Sequence, residues 1–330
     1  MRSKTAILII FAISLSLLLS SCAGLSLSGK QKEIAITEES LRTGTDSLLM
    51  SFYENMPPKE VYEEQAFPIS LVLANKGASD IKNGKIVLSY DDAFLENLNE
   101  PWTRNDMPTS TTSNSFPLSI EGKSINNPEG ETQVYSKNFR AKLIGENRQS
   151  IDSSFIATAC YDYQTKKGIQ ICIDPVPFQK TNKPCEMKAI TLESQGAPVA
   201  ITKVEPKLIP KGNGYELTVD IHFQNKGKGQ IFEKDKIDVA CGGTTPKQFF
   251  GFLKETALNL RLGSDEQNNF ICSPNFIDLS EKDNFFRCTY KTIITETQPY
   301  ATMLFLQIDY GYTYSVSTTT KVLKKISVQQ

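Results

Sequence analysis

The side chains able to do chemistry in this chain are few and widely spaced. Cysteines stand at positions 22, 160, 172, 185, 241, 272 and 288. The single histidine, His222, lies two residues from Asp220. On an extended strand both side chains would face the same way. Such an Asp-x-His pair could supply two metal ligands, but the sequence names no third or fourth, and the same residues read first as a solvated strand face. A Ser-His-Asp or Cys-His site would have to use His222, and no G-x-S-x-G elbow accompanies it. Asp91-Asp92 offers two carboxylates, the residue type needed for glycoside hydrolysis, with no separation readable from sequence. No EF-hand loop, P-loop or dinucleotide fingerprint is present. Trp102, the sole tryptophan, sits in Asn99-Glu100-Pro101-Trp102-Thr103-Arg104. It is the candidate binding residue, read either as an exposed anchor or as a wedge that packs its loop onto the body. No catalytic residue, metal site or cofactor is assigned, and the chain reads as a non-enzyme.

Six cysteines remain once Cys22 is set aside. In an exported chain an even number reads as three disulfides. Zinc is the competing use, but its close C-x2-C pairs are missing, and the shortest spacing, Cys160 to Cys172, leaves eleven residues between. Phe155, Ala157, Ala159, Tyr161 and Tyr163 alternate, as do Ile169, Ile171 and Ile173, with Thr165-Lys166-Lys167-Gly168 between them. This pattern predicts a hairpin stapled by Cys160–Cys172. Cys272 and Cys288 flank a second turn-like stretch, 278–284, and are expected to pair likewise. Cys185–Cys241 follows by elimination.

The N-terminus carries an address. Arg2 and Lys4 precede a run, 6–19, that is apolar except for Ser14 and Ser16 and ends in Leu19-Ser20-Ser21-Cys22. The run is too short for a spanning helix and suits a signal peptide. It resembles the lipobox of prokaryotic lipoprotein signals. That resemblance implies cleavage after residue 21 and a diacyl lipid on Cys22, enough for stable anchoring. Residues 22–30 then read as a lipidated tether, and the protein as exported and membrane-attached, facing the extracellular or periplasmic side.

The body that must position these groups is balanced in charge, with 36 basic and 37 acidic residues. Loss of residues 1–21 removes two basic residues and takes the net from −1 to −3. Neither value favours nucleic acid. The 22 % charged and 39 % hydrophobic composition of the 330 residues is that of a folded chain with length for two domains. Two segments repeat. Leu71, Leu73, Asn75-Lys76-Gly77 and Ile81 match Ile221, Phe223, Asn225-Lys226-Gly227 and Ile231, and 155–163 matches 304–312, both runs closing in Tyr-x-Tyr (Tyr161/Tyr163 and Tyr310/Tyr312). Alternating strands are predicted at 47–53, 68–74, 84–90, 132–142, 153–163 and 168–174, and again at 186–193, 199–204, 215–224, 235–240, 268–273, 285–294, 302–314 and 320–328. The stretch 249–262 is the best short-helix candidate, and 108–115 a surface loop.

A strand ending in Asn-Lys-Gly before a polar gap resembles the CARDB-like immunoglobulin-like domains of prokaryotic surface proteins. The match is carried by Leu71, Leu73, Asn75, Gly77 and 217–227. It implies an all-β chain of two tandem antiparallel immunoglobulin-like sandwiches, 31–178 and 185–330, joined by linker 179–184, with insertions near 91–130 and 241–284. The expected function is a non-catalytic adhesion, scaffold or assembly module of the cell envelope. The alternatives are a lipoprotein that captures a glycan or peptide at the domain junction, and a carboxylate-based hydrolase. The expected partners are the membrane, through the lipid on Cys22, and an envelope or extracellular protein or glycan.

Overall fold

Alternation of apolar and polar residues governs nearly every element. The computed structural model describes residues 37–178, 183–243, 246–281 and 284–325. Cys22, the signal segment 1–21 and the tether 22–30 lie outside the described residues, as do 179–182 of the expected linker. Thr37–Gln330 is one compact unit. It is mainly β, built from several sheets, one of them curled into a half-barrel. Among the described residues no helix is long and apolar enough to cross a membrane.

Ten strands come from the first half: β1 (Leu48–Phe52), β2 (Glu60–Tyr62), β3 (Ala66–Asn75), β4 (Ile81–Tyr90), β5 (Leu95–Asn97), β6 (Thr103–Arg104), β7 (Met107–Pro108), β8 (Ser115–Ile120), β9 (Thr132–Ala141) and β10 (Ser150–Ile173). Ten more follow: β11 (Ile190–Thr191), β12 (Val199–Lys211), β13 (Gly214–Asn225), β14 (Gln230–Phe232), β15 (Phe252–Lys254), β16 (Leu258–Leu262), β17 (Phe270–Ser273), β18 (Phe276–Asp278), β19 (Phe285–Tyr290) and β20 (Tyr300–Leu323). Each half owns a sheet: β1-β3-β9-β6-β7 in the first, with β5 on β9, and β11-β12-β13-β19-β17 in the second. A third sheet, β14-β20-β10-β4-β8, draws on both halves, with β16 and β2 also pairing β20.

The two halves are therefore joined more closely than tandem domains on a linker. β10 and β20 run antiparallel and pair at all 24 positions, from Ser150↔Leu323 to Ile173↔Tyr300. Asp162 faces Gly311 at mid-ladder, with Tyr161 opposite Tyr312 and Tyr163 opposite Tyr310. Behind this sheet the apolar faces pack into one hydrophobic cluster spanning both halves. Phe155 of β10 meets Phe67 of β3 and Phe139 of β9 edge-on, at centroid distances of 6.3 and 5.2 Å.

The expected hairpin at 153–174 is not formed. β10 passes straight through Thr165-Lys166-Lys167-Gly168, because Thr165 has a buried role in extended backbone. Its hydroxyl donates to the Val199 carbonyl at 2.7 Å and lies 3.1 Å from the Tyr310 hydroxyl. Twelve residues apart on one strand, Cys160 and Cys172 are separated by about 40 Å, so the expected Cys160–Cys172 and Cys185–Cys241 pairs give way to Cys160–Cys241 and Cys172–Cys185. Cys272–Cys288 pairs as expected, across the β17–β19 ladder.

Three further expectations change. The segment 235–240 contains a helical turn, Ile237–Ala240, not a strand. The helix expected over 249–262 is β15, a 3-10 turn at Glu255–Ala257, and β16. Leu258, Leu260 and Leu262 carry a period of two, and that face lies buried along β20. The two strands expected at 302–314 and 320–328 merge into β20, which ends at Leu323.

The repeat is visible at two turns. After β3, the Asn75 side-chain amide donates to the Ser79 carbonyl (2.9 Å), Gly77 N–H donates to Asn75 Oδ1 (3.1 Å), and Ser79 N–H donates to the Tyr163 hydroxyl (3.3 Å). After β13, Asn225 reaches the Gly229 carbonyl (2.8 Å), Gly227 N–H reaches Asn225 Oδ1 (3.2 Å), and Gly229 N–H reaches the Tyr312 hydroxyl (2.8 Å). Glycine is required in both. A Cβ would stand 1.9 Å from the Tyr163 hydroxyl at Gly77 and 2.2 Å from that of Tyr312 at Gly227.

Candidate ligand-binding cleft at the seam

The outward-facing residues of β10 and β20 form the floor of a cleft where the halves meet. Gln164 pairs opposite Asp309, so their side chains share a face, with Asp162 two residues along. Gln164 Nε2 donates to Asp309 Oδ1 at 2.7 Å, and Gln307 Nε2 donates to Asp309 Oδ2 at 3.1 Å. Asp162 accepts from Asn83 Nδ2 (2.7 Å) and from the Asp235 N–H (3.1 Å). Burial raises the Asp162 carboxyl above the usual carboxylate range, against the lowering effect of those two donors.

The polar cleft above this floor encloses about 690 Å³. Its walls include Arg42 and Glu38, the turn carrying Asp80, Lys82 and Asn83, the loop 123–126, Lys166, and Lys234-Asp235. Next to it lies an aromatic cleft of about 670 Å³, lined by Phe232, Phe249, Phe252, Leu253 and Phe276, with Lys254 and Glu233 paired at its rim (2.7 Å). Lys234, Asp235 and Asp309 line both.

One segment of the second half builds the shared wall. Residues 233–243 leave β14 over the outer face of the common sheet, and 246–257 run on toward β16 along the aromatic cleft. Cys160–Cys241 ties them to β10, and the Lys85–Asp238 ion pair (2.9 Å) ties them to β4. Beneath them Cys160, Phe232 and Ile237 form a second, small hydrophobic cluster, separate from the main core.

The singled-out residues fall elsewhere. Trp102 is fully buried, so it is no exposed anchor. β6 pairs with the β9 edge at Ser136 and Tyr135, which folds the loop inward. The indole N–H donates to the Ser113 carbonyl (2.9 Å), the ring meets Phe116 (4.8 Å), and the Lys137 ammonium lies 5.7 Å from its centre. Asp220 does not join His222 as a ligand pair. It is buried and takes a fork from Arg287 (Nε 2.7 Å, Nη2 2.8 Å) and a bond from Lys207 (2.7 Å), which hold its carboxyl down to about 2. His222 lies against the Phe285 ring at 5.1 Å. Asp91 caps a turn by accepting from Ala93 N–H at 3.2 Å.

The cleft residues carry no local signal in the sequence. Asp162 and Gln164 look like any polar face of a strand. A signal did exist in the second insertion, where Phe249-Phe250-Gly251-Phe252 is an aromatic run in otherwise polar surroundings.

No family model matches the chain, and no curated protein does. Among solved structures it is similar to a DUF4466 family protein from Parabacteroides merdae ATCC 43184, at 10 % identity, covering 80 % of this chain and 99 % of that one, with a TM-score of 0.16. A likeness that distant carries no argument about fold or function.

Proposed function

We propose that this chain is an exported binding protein, anchored by lipid at Cys22, that captures a glycan or peptide in the paired clefts at the seam of its two halves. The three disulfides fit the oxidising compartment that such an address implies. The observation that carries the reading is the junction of a polar and an aromatic concavity at Lys234, Asp235 and Asp309. Pockets of this size with a few convergent polar groups are the usual form of ligand sites. A ligand lying across the junction would touch both halves at once. The expected adhesion or scaffold role ranks second, since it calls on exposed edges in place of a concavity. Turnover is the weakest reading. The two floor carboxylates that a hydrolase would use, Asp162 and Asp309, already accept from neutral donors at both oxygens.

Each half is read, as part of this proposal, as an immunoglobulin-like sandwich closed against a shared sheet. In support, β1-β3-β9 of the first half corresponds to β12-β13-β19 of the second, and β4-β10 to β14-β20. The test is capture on a mixed glycan and peptide array by the mature chain and by Asp309→Arg, which would fill the junction. Capture by the parent and its loss in the variant are expected; equal capture by both rejects the cleft as the site.

A further inference from the structure

We infer that the ligand of the seam cleft is an extended acidic peptide bearing one apolar anchor side chain, an inference that rests on the capture role proposed above. Three independent features converge on it.

The first is a gap in the sheet. Along one edge of β20, β14 pairs with 311–313 and β16 with 304–308. Asp309 and Tyr310 have no strand partner on that side, and both line the aromatic cleft. A two-residue gap between two strands offers main-chain groups to another main chain, the logic of recognition by strand addition. A polysaccharide has no matching alternation of N–H and C=O.

The second is the chemistry of the aromatic slot. Phe249, Phe252 and Phe276 present rings with no polar handle, and Phe276 is 57 % exposed. An aliphatic or aromatic side chain would be covered there without leaving a polar atom unpaired, whereas the hydroxyls around a stacked sugar would find no hydrogen-bond partner on these three rings.

The third is what remains free in the polar cleft. Its floor carboxylates are satisfied. Arg42, Lys82, Lys123, Lys166 and Lys234 make no side-chain hydrogen bond or ion pair among the described residues, and Arg42 Nη1 is buried without a partner. Together with the floor pair Asp162 and Asp309, Glu38, Asp80 and Asp235 on the same walls balance the formal charge, so the case rests on bonding capacity, not on net charge. Free donors outnumber free acceptors, and a carboxylate-bearing ligand supplies what is missing.

The experiment is selection of a random twelve-residue peptide library on the disulfide-bonded mature chain, with the parent compared with Arg42→Gln/Lys166→Gln and with Phe276→Ser. Oligogalacturonate is titrated in parallel as an acidic glycan. Enriched peptides should combine Asp or Glu with Leu, Met or Phe. Their affinity should fall at least tenfold on the Arg42/Lys166 variant, and the preference for the apolar residue should vanish on Phe276→Ser. Failure to enrich such peptides, or enrichment indifferent to both variants, overturns the inference. Oligogalacturonate binding that is lost in Arg42→Gln/Lys166→Gln, with no peptide enriched, also overturns it while leaving the capture role standing. If neither ligand shows cleft-dependent binding, the capture role falls as well.

Discussion

The two Asn-x-Gly turns are nearly superimposable in their hydrogen bonds, yet the strands that follow them part company. After Asn75, β4 runs ten residues and pairs with β10 at seven consecutive positions, 155–161. After Asn225, β14 runs three residues and pairs with β20 at three. The chain then leaves the sheet, crosses its outer face and rejoins the β20 edge as β16. The regular half buries its strand edge under β8; the interrupted half leaves a gap, and the clefts lie beside it. The shared turns thus frame both halves alike, and the interruption after Asn225 leaves the gap beside which the candidate site lies.

The largest effect should come from the bond that holds the crossing segment. Cys160–Cys241 closes a loop with a sequence separation of 81, and Cys272–Cys288 one of 16. In the loop-entropy model these contribute about 4 and about 3 kcal/mol respectively. Paired Cys→Ser replacement at 160 and 241 should lower the unfolding midpoint more, and should raise amide exchange across 233–254. Replacement at 272 and 288 should leave exchange at 233–254 unchanged. Equal exchange in the two variants would mean that the disulfide does not hold the cleft wall.

Gly77→Ala and Gly227→Ala probe the part that the halves share. Both place a methyl against a buried tyrosine hydroxyl, and Gly77 also meets the main-chain oxygens of Asp46 (2.7 Å) and Gly196 (2.9 Å). Each should cost about 2–3 kcal/mol by overpacking. Tyr312→Phe and Tyr163→Phe should each relieve their glycine variant only in part, because Pro198 Cβ (2.6 Å) remains at Gly227 and the Asp46 and Gly196 oxygens remain at Gly77. Chemical denaturation of the four single and two double variants reads this directly.

The repeat was legible because it depends on local chemistry: an Asn side chain folding back on its own turn and a glycine beside a phenol. The long strands differ from expectation at Thr165-Lys166-Lys167-Gly168, although the sequence holds a clue. Phe155 through Tyr163 and Ile169 through Ile173 alternate on the same parity, as one unbroken strand requires. Reading a Gly-containing polar stretch as a turn overrode that parity and carried the cysteine pairing with it. The cleft was illegible for a different reason. Asp162 and Asp309 come together only through the β10–β20 register, and local sequence does not encode a register between strands so far apart in the chain.

Away from the seam, Asp220 sets a third, smaller difference between the halves, since its position in the first half is Ser70 by the 150-residue offset. Folded, the Asp220 carboxyl is held to about 2 by Arg287 and Lys207, below the ordinary 3.8. A lowered carboxyl stabilises the fold fully above the unfolded value, and that contribution fades as pH drops from about 4 toward 2. It amounts to about 2 kcal/mol. Asp220→Asn should flatten the acid limb of the stability curve in that window while leaving Ser70→Ala unaffected there; an unchanged acid limb would show that the fork does not stabilise the ionised form.

The smallest effect is expected at Asp162, and its sign is opposite. Burial raises this carboxyl, so the folded state favours the protonated form, and ionisation at neutral pH opposes folding. Stability from this group therefore grows as pH falls through its folded value, the reverse of Asp220. Asp162→Asn removes the cost of the buried charge but leaves only one oxygen to accept from Asn83 or the Asp235 N–H. The two changes largely cancel, so stability at pH 7 should stay within about 0.5 kcal/mol of the parent. A clear loss at pH 7 that persists at pH 4 would show that the two accepted hydrogen bonds outweigh desolvation. The floor of the cleft would then be a structural clasp between the halves, and a ligand's approach to it would have to leave both bonds in place.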